Sequence, residues 1–336
     1  MGSPPAAGQC WNAPAETGLI LVAVETTLRS MRRLLPFVLL ALVGPACGVQ
    51  QGAVRDLAVL REARLYTFNE READAYLRWL SKQPIATVDR AVALGRKNLG
   101  QPYRLGLLGE YPFELYDPEP LFCLSASDCV TFVEHSYAMA MSHDWASFIR
   151  VLQRIRYKDG RISILMRNHF MEADWNINND WLFDDMTTSL SGGDPQPMEV
   201  AVDRAALFRK YGIVADVPIE IVDDAYIPRD RLPDVAAQLE DGDIIEFVRG
   251  DERSRHVSHV GLIAHDAANQ ATLLHSGAPA VQEVPLEAYL RRHSDVIGFK
   301  ILRMVEGELE PGEEERHRDE QIVRGSVPDT AKLPGK

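Results

Sequence analysis

Excess positive charge is what this sequence most plainly lacks. Its 336 residues carry 36 Lys and Arg against 49 Asp and Glu, a net charge of −13, with a pI near 5.2. A nucleic-acid partner is excluded on that balance, although part of the acidity sits in the C-terminal tail and need not shape the fold. The chain has no internal repeat and no His-Glu-x-x-His helix of the kind that holds a hydrolytic zinc. Its apolar run at 34–43 is far too short to cross a bilayer as a stable helix. Cysteine is scarce: Cys10, Cys47, Cys123 and Cys129 are all there are, so each can be placed singly. At 46% hydrophobic residues there is still ample material for one large core or two smaller ones.

That short apolar run is informative in another way. Met31-Arg32-Arg33 precedes it and Gly44-Pro45-Ala46-Cys47-Gly48 follows. A basic start, an apolar stretch and small residues make a secretory signal at 31–47. Residues 1–30 are then expected to be a misassigned start or disordered. The Gly-Pro ending and Pro36 weigh against a buried helix. Small residues before Cys47 also resemble a bacterial lipobox, with Gly44 where leucine is usual. Simple cleavage and lipid anchoring through Cys47 both stay open. The expected location is the periplasm or cell envelope.

Asp128-Cys129-Val130-Thr131-Phe132-Val133-Glu134 puts a cysteine at the head of a helix-like run. Far downstream, His256-Val257-Ser258-His259-Val260-Gly261-Leu262-Ile263 is strand-like and carries histidines. A thiol at a helix start and an imidazole on a strand are the two halves of a cysteine nucleophile–base pair. Helix N-terminal N–H groups and a nearby imidazolium both favour the reactive thiolate. Asp128 opposes this unless it turns away to cap the helix. A cysteine in such a place can equally be a small buried hydrophobe. A disulfide would silence the nucleophile, so Cys129 is expected to be a thiol and Cys123 to be core or loop packing.

Apolar spacing predicts helices over 68–81, 85–99, 129–142 and 145–155, with a short one within 49–66. Either Ser127 or Asp128 can be the N-cap before Cys129. The β pattern predicts short strands at 243–249, 258–265, 271–276, 280–284 and 297–304, with extended structure and turns over 218–233. Simple alternation puts His259 and His265 on one strand face and His256 on the other. Asp243 is expected to brace the strand entry. Helices first and strands last argue an α+β domain over 48–305, with an insert at about 157–235 and a disordered tail at 306–336. From its position, the insert is expected to shape the substrate groove.

The order of these segments resembles the NlpC-type papain-like superfamily of cell-wall amidases and peptidases. A narrower likeness is to the N-acetylmuramoyl-L-alanine amidase-like family. It is carried by Gly100-Gln101-Pro102-Tyr103, Asp128-Cys129 with its helix, Arg167-Asn168-His169-Phe170 with Asp174-Trp175, and Leu274-His275-Ser276. The resemblance covers about residues 55–305. It implies a papain-like fold with N-terminal helices packed on a C-terminal antiparallel sheet or partial barrel.

By that resemblance Cys129 is the nucleophile, His259 the base and later the acid, and His275 the residue that orients His259. Tyr103 is expected near the cysteine, helping to hold the scissile carbonyl, with packing as the alternative. The backbone N–H of Cys129 is expected to help bind the oxyanion. Asp128, Asn168, His169 and Trp175 complete the expected substrate contacts; His169, Trp175 and Trp181 can equally be an ordinary hydrophobic cluster.

The implied activity is hydrolysis of peptidoglycan fragments at the N-acetylmuramoyl-L-alanine amide. Cleavage between D-glutamate and the diamino acid of the stem is the close alternative, and a non-catalytic wall-binding module the distant one. No metal or other cofactor is needed for these readings. A metal hydrolase using His256, Ser258 and His259 is disfavoured by the expected strand faces.

Overall fold

The computed structural model describes residues 54–251 and 254–305. The expected signal at 31–47, Cys10 and Cys47, and the tail from 306 lie outside them. The N-terminal part is helical: α1 (Leu57–Glu62), α2 (Glu70–Leu80), α3 (Thr87–Lys97), α4 (Cys129–Ala140) and α5 (Trp145–Arg156). The caps explain the starts. Asn69 and Glu72 form a reciprocal capping box on α2, as Asp144 and Ser147 do on α5. α2 and α5 each bury one stripe, but α4 is buried almost all round, because it packs between α3, α5 and the sheet.

Eight strands follow: β1 (Phe183–Asp185), β2 (Gln196–Val202), β3 (Glu220–Pro228), β4 (Ile244–Arg249), β5 (His256–His265), β6 (Ala271–Gly277), β7 (Ala280–Pro285) and β8 (Val296–Met304). They form one antiparallel sheet in the order β2-β3-β8-β4-β5-β6-β7, with β1 also on β8. In β4 the pleat separates two cores. Ile244 and Val248 join the large core under the helices. Ile245 and Phe247 join a smaller one on the opposite face, with Leu286, Tyr289 and Leu290 of the helix Leu286–Arg292. Asp243 does brace the strand entry: both its carboxylate oxygens accept from Arg303 at 2.7 Å.

Two expectations need correction. The segment 157–235 does not line the groove; its hairpin β2–β3 extends the sheet outward through β8. The simple alternation along β5 also fails. Phe247 of β4 faces His259, but Val248 faces Val257, so Ser258 is the extra residue of a β-bulge. The bulge brings His256 onto the same cleft as His259, while His265 pairs with Asp241 at 2.7 Å.

Candidate active site

Cys129 is the first residue of α4, and Asp128 is its N-cap. The Asp128 carboxylate accepts from the Thr131 N–H at 2.8 Å, which turns it into the helix. Cys129 is buried and not in a disulfide. Cys123 is buried with Leu107 and Leu108, as expected, and is in addition disulfide-bonded.

Three chain segments are tied together just ahead of the thiol. Ser127 Oγ lies 2.7 Å from Gln101 Oε1 and 2.9 Å from Ser276 Oγ, all three residues being buried. Ser276 Oγ in turn donates to the Ser127 carbonyl at 2.9 Å, and Gln101 Nε2 donates to the Leu124 carbonyl at 2.7 Å. The turn 100–103, the loop before α4 and strand β6 are therefore joined by buried hydrogen bonds. This fixes Cys129 relative to His275, the neighbour of Ser276 on β6.

His259 Nε2 and His275 Nδ1 are 2.8 Å apart. One nitrogen must donate and the other accept. Burial pushes the His275 pKa down to about 4, with His293 adding a smaller effect, so its imidazole is neutral near pH 7. A neutral His275 with its proton on Nε2 accepts from His259 Nε2–H, leaving His259 Nδ1 as the basic nitrogen. The His275 Nε2 is buried without a hydrogen-bond partner. Gly277 makes room for this pair: a Cβ there would lie 2.9 Å from His275 Cε1 and 3.1 Å from its Nδ1.

Cys129, His259, His275 and Tyr103 line one cleft of about 570 Å³. The expected third contact is thus met in space by His275, and Tyr103 shares the lining with the thiol. Tyr289 was not anticipated. Its ring centroid lies 5.3 Å from His275, 6.0 Å from His259 and 4.3 Å from His293. Burial, and the neighbouring Cys129 besides, push its phenol up to about 12 against the opposing pull of Arg249. Leu286, Tyr289, Leu290 and His293 recur at helical spacing, and that signal could have found it. Gln101, Ser127 and Ser276 were also missed as positioning groups, although Gln101 and Ser276 stand inside the motifs that carry the resemblance and Ser127 directly precedes one. Among the described residues no group of three His, Cys, Asp or Glu is placed to hold a metal ion.

Other expected substrate contacts are not brought to the cleft. Asp128 is engaged at the helix cap. Trp175 is 1% exposed, donates to Glu134 at 3.1 Å and stacks on Phe183, because the large core absorbs it. Asn168 donates to the Ile155 carbonyl and accepts from Asn178, at 2.9 and 2.7 Å. His169 Nε2 meets the Ile164 carbonyl at 2.7 Å, and burial pushes its pKa down to about 3. These three hold the 155–179 region together.

The sequence matches the family model for N-acetylmuramoyl-L-alanine amidase-like (AmiA-like) proteins over residues 93–298, more than half of the chain. No curated protein matches it. A crystal structure of a Legionella pneumophila protein has a TM-score of 0.61 at 23% identity, covering 75% of this chain and 97% of that one. At that identity the likeness carries the fold alone. An N-acetylmuramoyl-L-alanine amidase from Bacteroides uniformis has a TM-score of 0.53 at 26% identity, covering 66% of this chain and 99% of that one. A proposed xylanase from Bacteroides fragilis has a TM-score of 0.51 at 26% identity, over 62% and 98% of the two chains.

Proposed function

The chain belongs to the N-acetylmuramoyl-L-alanine amidase-like family, and on that premise we propose that it is a cysteine amidase that cuts peptidoglycan fragments at the bond between N-acetylmuramic acid and L-alanine. The observation that carries the cysteine mechanism is the convergence of Cys129, His259 and His275 on one cleft, with the two imidazoles 2.8 Å apart. We assign the arrangement to the NlpC-type papain-like enzymes, whose pairing of a helix-start cysteine with a histidine on the sheet it resembles.

In this mechanism His259 Nδ1 takes the Cys129 proton and Sγ attacks the lactyl carbonyl carbon. The tetrahedral oxyanion is met by the Cys129 backbone N–H at the head of α4. The C–N bond then breaks, the proton passes from His259 to the departing alanine nitrogen, and a thioester remains on Cys129. Water, deprotonated by His259, cleaves the thioester and restores the thiol. His275 stays neutral throughout and accepts from His259 Nε2–H, holding the ring in the productive orientation. Tyr103 positions the scissile carbonyl. The reading includes export by residues 31–47, with acylation of Cys47 as a route to the membrane.

A glycosidase reading, suggested by the Bacteroides fragilis neighbour, needs two carboxylates flanking the bond to be cut. None of the described residues lining the cleft is Asp or Glu. The test of the amidase is chemical. Iodoacetamide should modify Cys129 with matching loss of muropeptide hydrolysis, while a chelator should leave hydrolysis intact. Activity that survives full alkylation of Cys129, or disappears with the chelator alone, would sink the cysteine mechanism.

A further inference from the structure

One end of the cleft has a charge opposite to that of the protein. The chain carries a net −13, yet Arg249, Arg292, His256 and His293 all line the cleft and, among the described residues, no carboxylate does. Three elements deliver them: the end of β4, the start of β5 with its bulge, and the end of the helix Leu286–Arg292. Arg249 Nε is buried and makes no hydrogen bond, although Asp295 Oδ2 stands 3.2 Å away as an ion-pair partner. Arg249 Nη2 reaches His293 Nδ1 only at 3.5 Å. Arg292 is exposed and has no ion pair among the described residues. A guanidinium kept this poorly satisfied at a cleft wall is poised for an anion that bonds it in a planar fork.

We propose that Arg249 and Arg292, flanked by His256 and His293, form a subsite for a carboxylate on the peptide arm of the substrate. The proposal deepens the amidase reading and rests on it. The distance is suitable. Across the bulge His256 and His259 face Arg249 and Phe247, two positions apart on β4, a separation of roughly 7 Å along the sheet. A stem peptide advances at most about 3.5 Å per residue. A carboxylate one to three residues beyond the scissile amide therefore falls between the base and this cationic end. The candidates are the α-carboxylate of D-glutamate and the carboxylates of the diamino acid. Asp295 occupies part of the Arg249 valence and competes with the incoming anion.

Matched substrates separate these sources. Muramoyl-L-alanyl-D-glutamate is compared with its isoglutamine form, and the tripeptide is compared with versions amidated on the diamino acid. The subsite predicts that kcat/KM falls roughly tenfold or more when the bound carboxylate is amidated, the scale of a charge-assisted hydrogen bond. The pair that shows the drop names the carboxylate. Arg292→Gln, a change on the surface, should raise KM for the acidic substrate and bring its ratio to the amidated one toward unity. Asp295→Asn should lower KM for the acidic substrate. The subsite is overturned if wild-type enzyme hydrolyses free and amidated forms alike, or if Arg292→Gln and Arg249→Gln leave that ratio unchanged in folded protein. Failure of wild-type protein to cleave any of these substrates would instead remove the amidase reading itself.

Discussion

A neutral imidazole can accept a hydrogen bond and an imidazolium cannot, so His275 serves His259 only while uncharged. Burial keeps it so, with a pKa near 4 against an ordinary 6.5. The unfolded chain takes up this proton as pH falls below 6.5, while the folded chain resists until about 4. Stability present above pH 6.5 is therefore lost progressively on acidification, by on the order of 3 kcal/mol for this one group. Denaturant unfolding at pH 7.5 and 4.5 should show wild type losing more stability than His275→Asn; equal losses would contradict the burial argument. Gly277 is the matching steric detail. Gly277→Ala places a methyl 2.9 Å from His275 Cε1, and a displacement of about 1 Å at a catalytic group can cost about 10²-fold in rate. We expect kcat to fall by that order with a stability loss of only about 1–3 kcal/mol, read by turnover and urea unfolding together. A variant with normal kcat would show that His275 is free to move.

At the scale of elements, the Gln101–Ser127–Ser276 contacts couple β6 to the start of α4. Ser276→Ala removes one of two partners from the Ser127 hydroxyl and from the Ser127 carbonyl, which keep Gln101 and the Arg104 N–H, a cost of about 0.5–1.5 kcal/mol. It should also lower turnover, because Cys129 and His275 lose their common tie. Urea midpoints and kcat measured together check this; lost stability with untouched kcat would confine the network to folding. Most of these elements were legible in the sequence. Helices α2 to α5 and strands β4 to β8 follow from apolar spacing and from the punctuation between them, within a few residues of the observed ends. Strand β2 was not, and β3 was legible only as extended structure within 218–233. β2 buries Met198, Val200 and Val202 in alternation, but Pro197 inside it argues against a strand, and β3 is acid-rich and shows no clean alternating stripe. The bulge at Ser258 was hidden for a different reason: an extra residue changes register only relative to a partner strand, and a single sequence carries no partner.

At the scale of the molecule, fold and site were recoverable to different depths. Cys129, His259 and His275 are the residues that sequence order and residue type already suggest for the proposed chemistry, and the fold gathers them in one cleft. Asn168, His169 and Trp175 stood in equally prominent motifs, yet they serve the packing of the 155–179 region, since polar and aromatic residues satisfy a buried core as readily as they bind a ligand. The cationic end of the cleft was invisible because net charge averages over the whole chain, whereas a substrate meets only the few groups that folding brings together. The central claim is a Cys129-dependent cut between sugar and peptide. It is tested most directly by weighing the products of a defined muropeptide after incubation with protein from about residue 48 onward and with its Cys129→Ala variant. The account predicts free muramoyl sugar and an intact peptide beginning at L-alanine, formed by the first protein and not by the variant. Sugar that keeps its L-alanine, or equal cleavage by the variant, would contradict it.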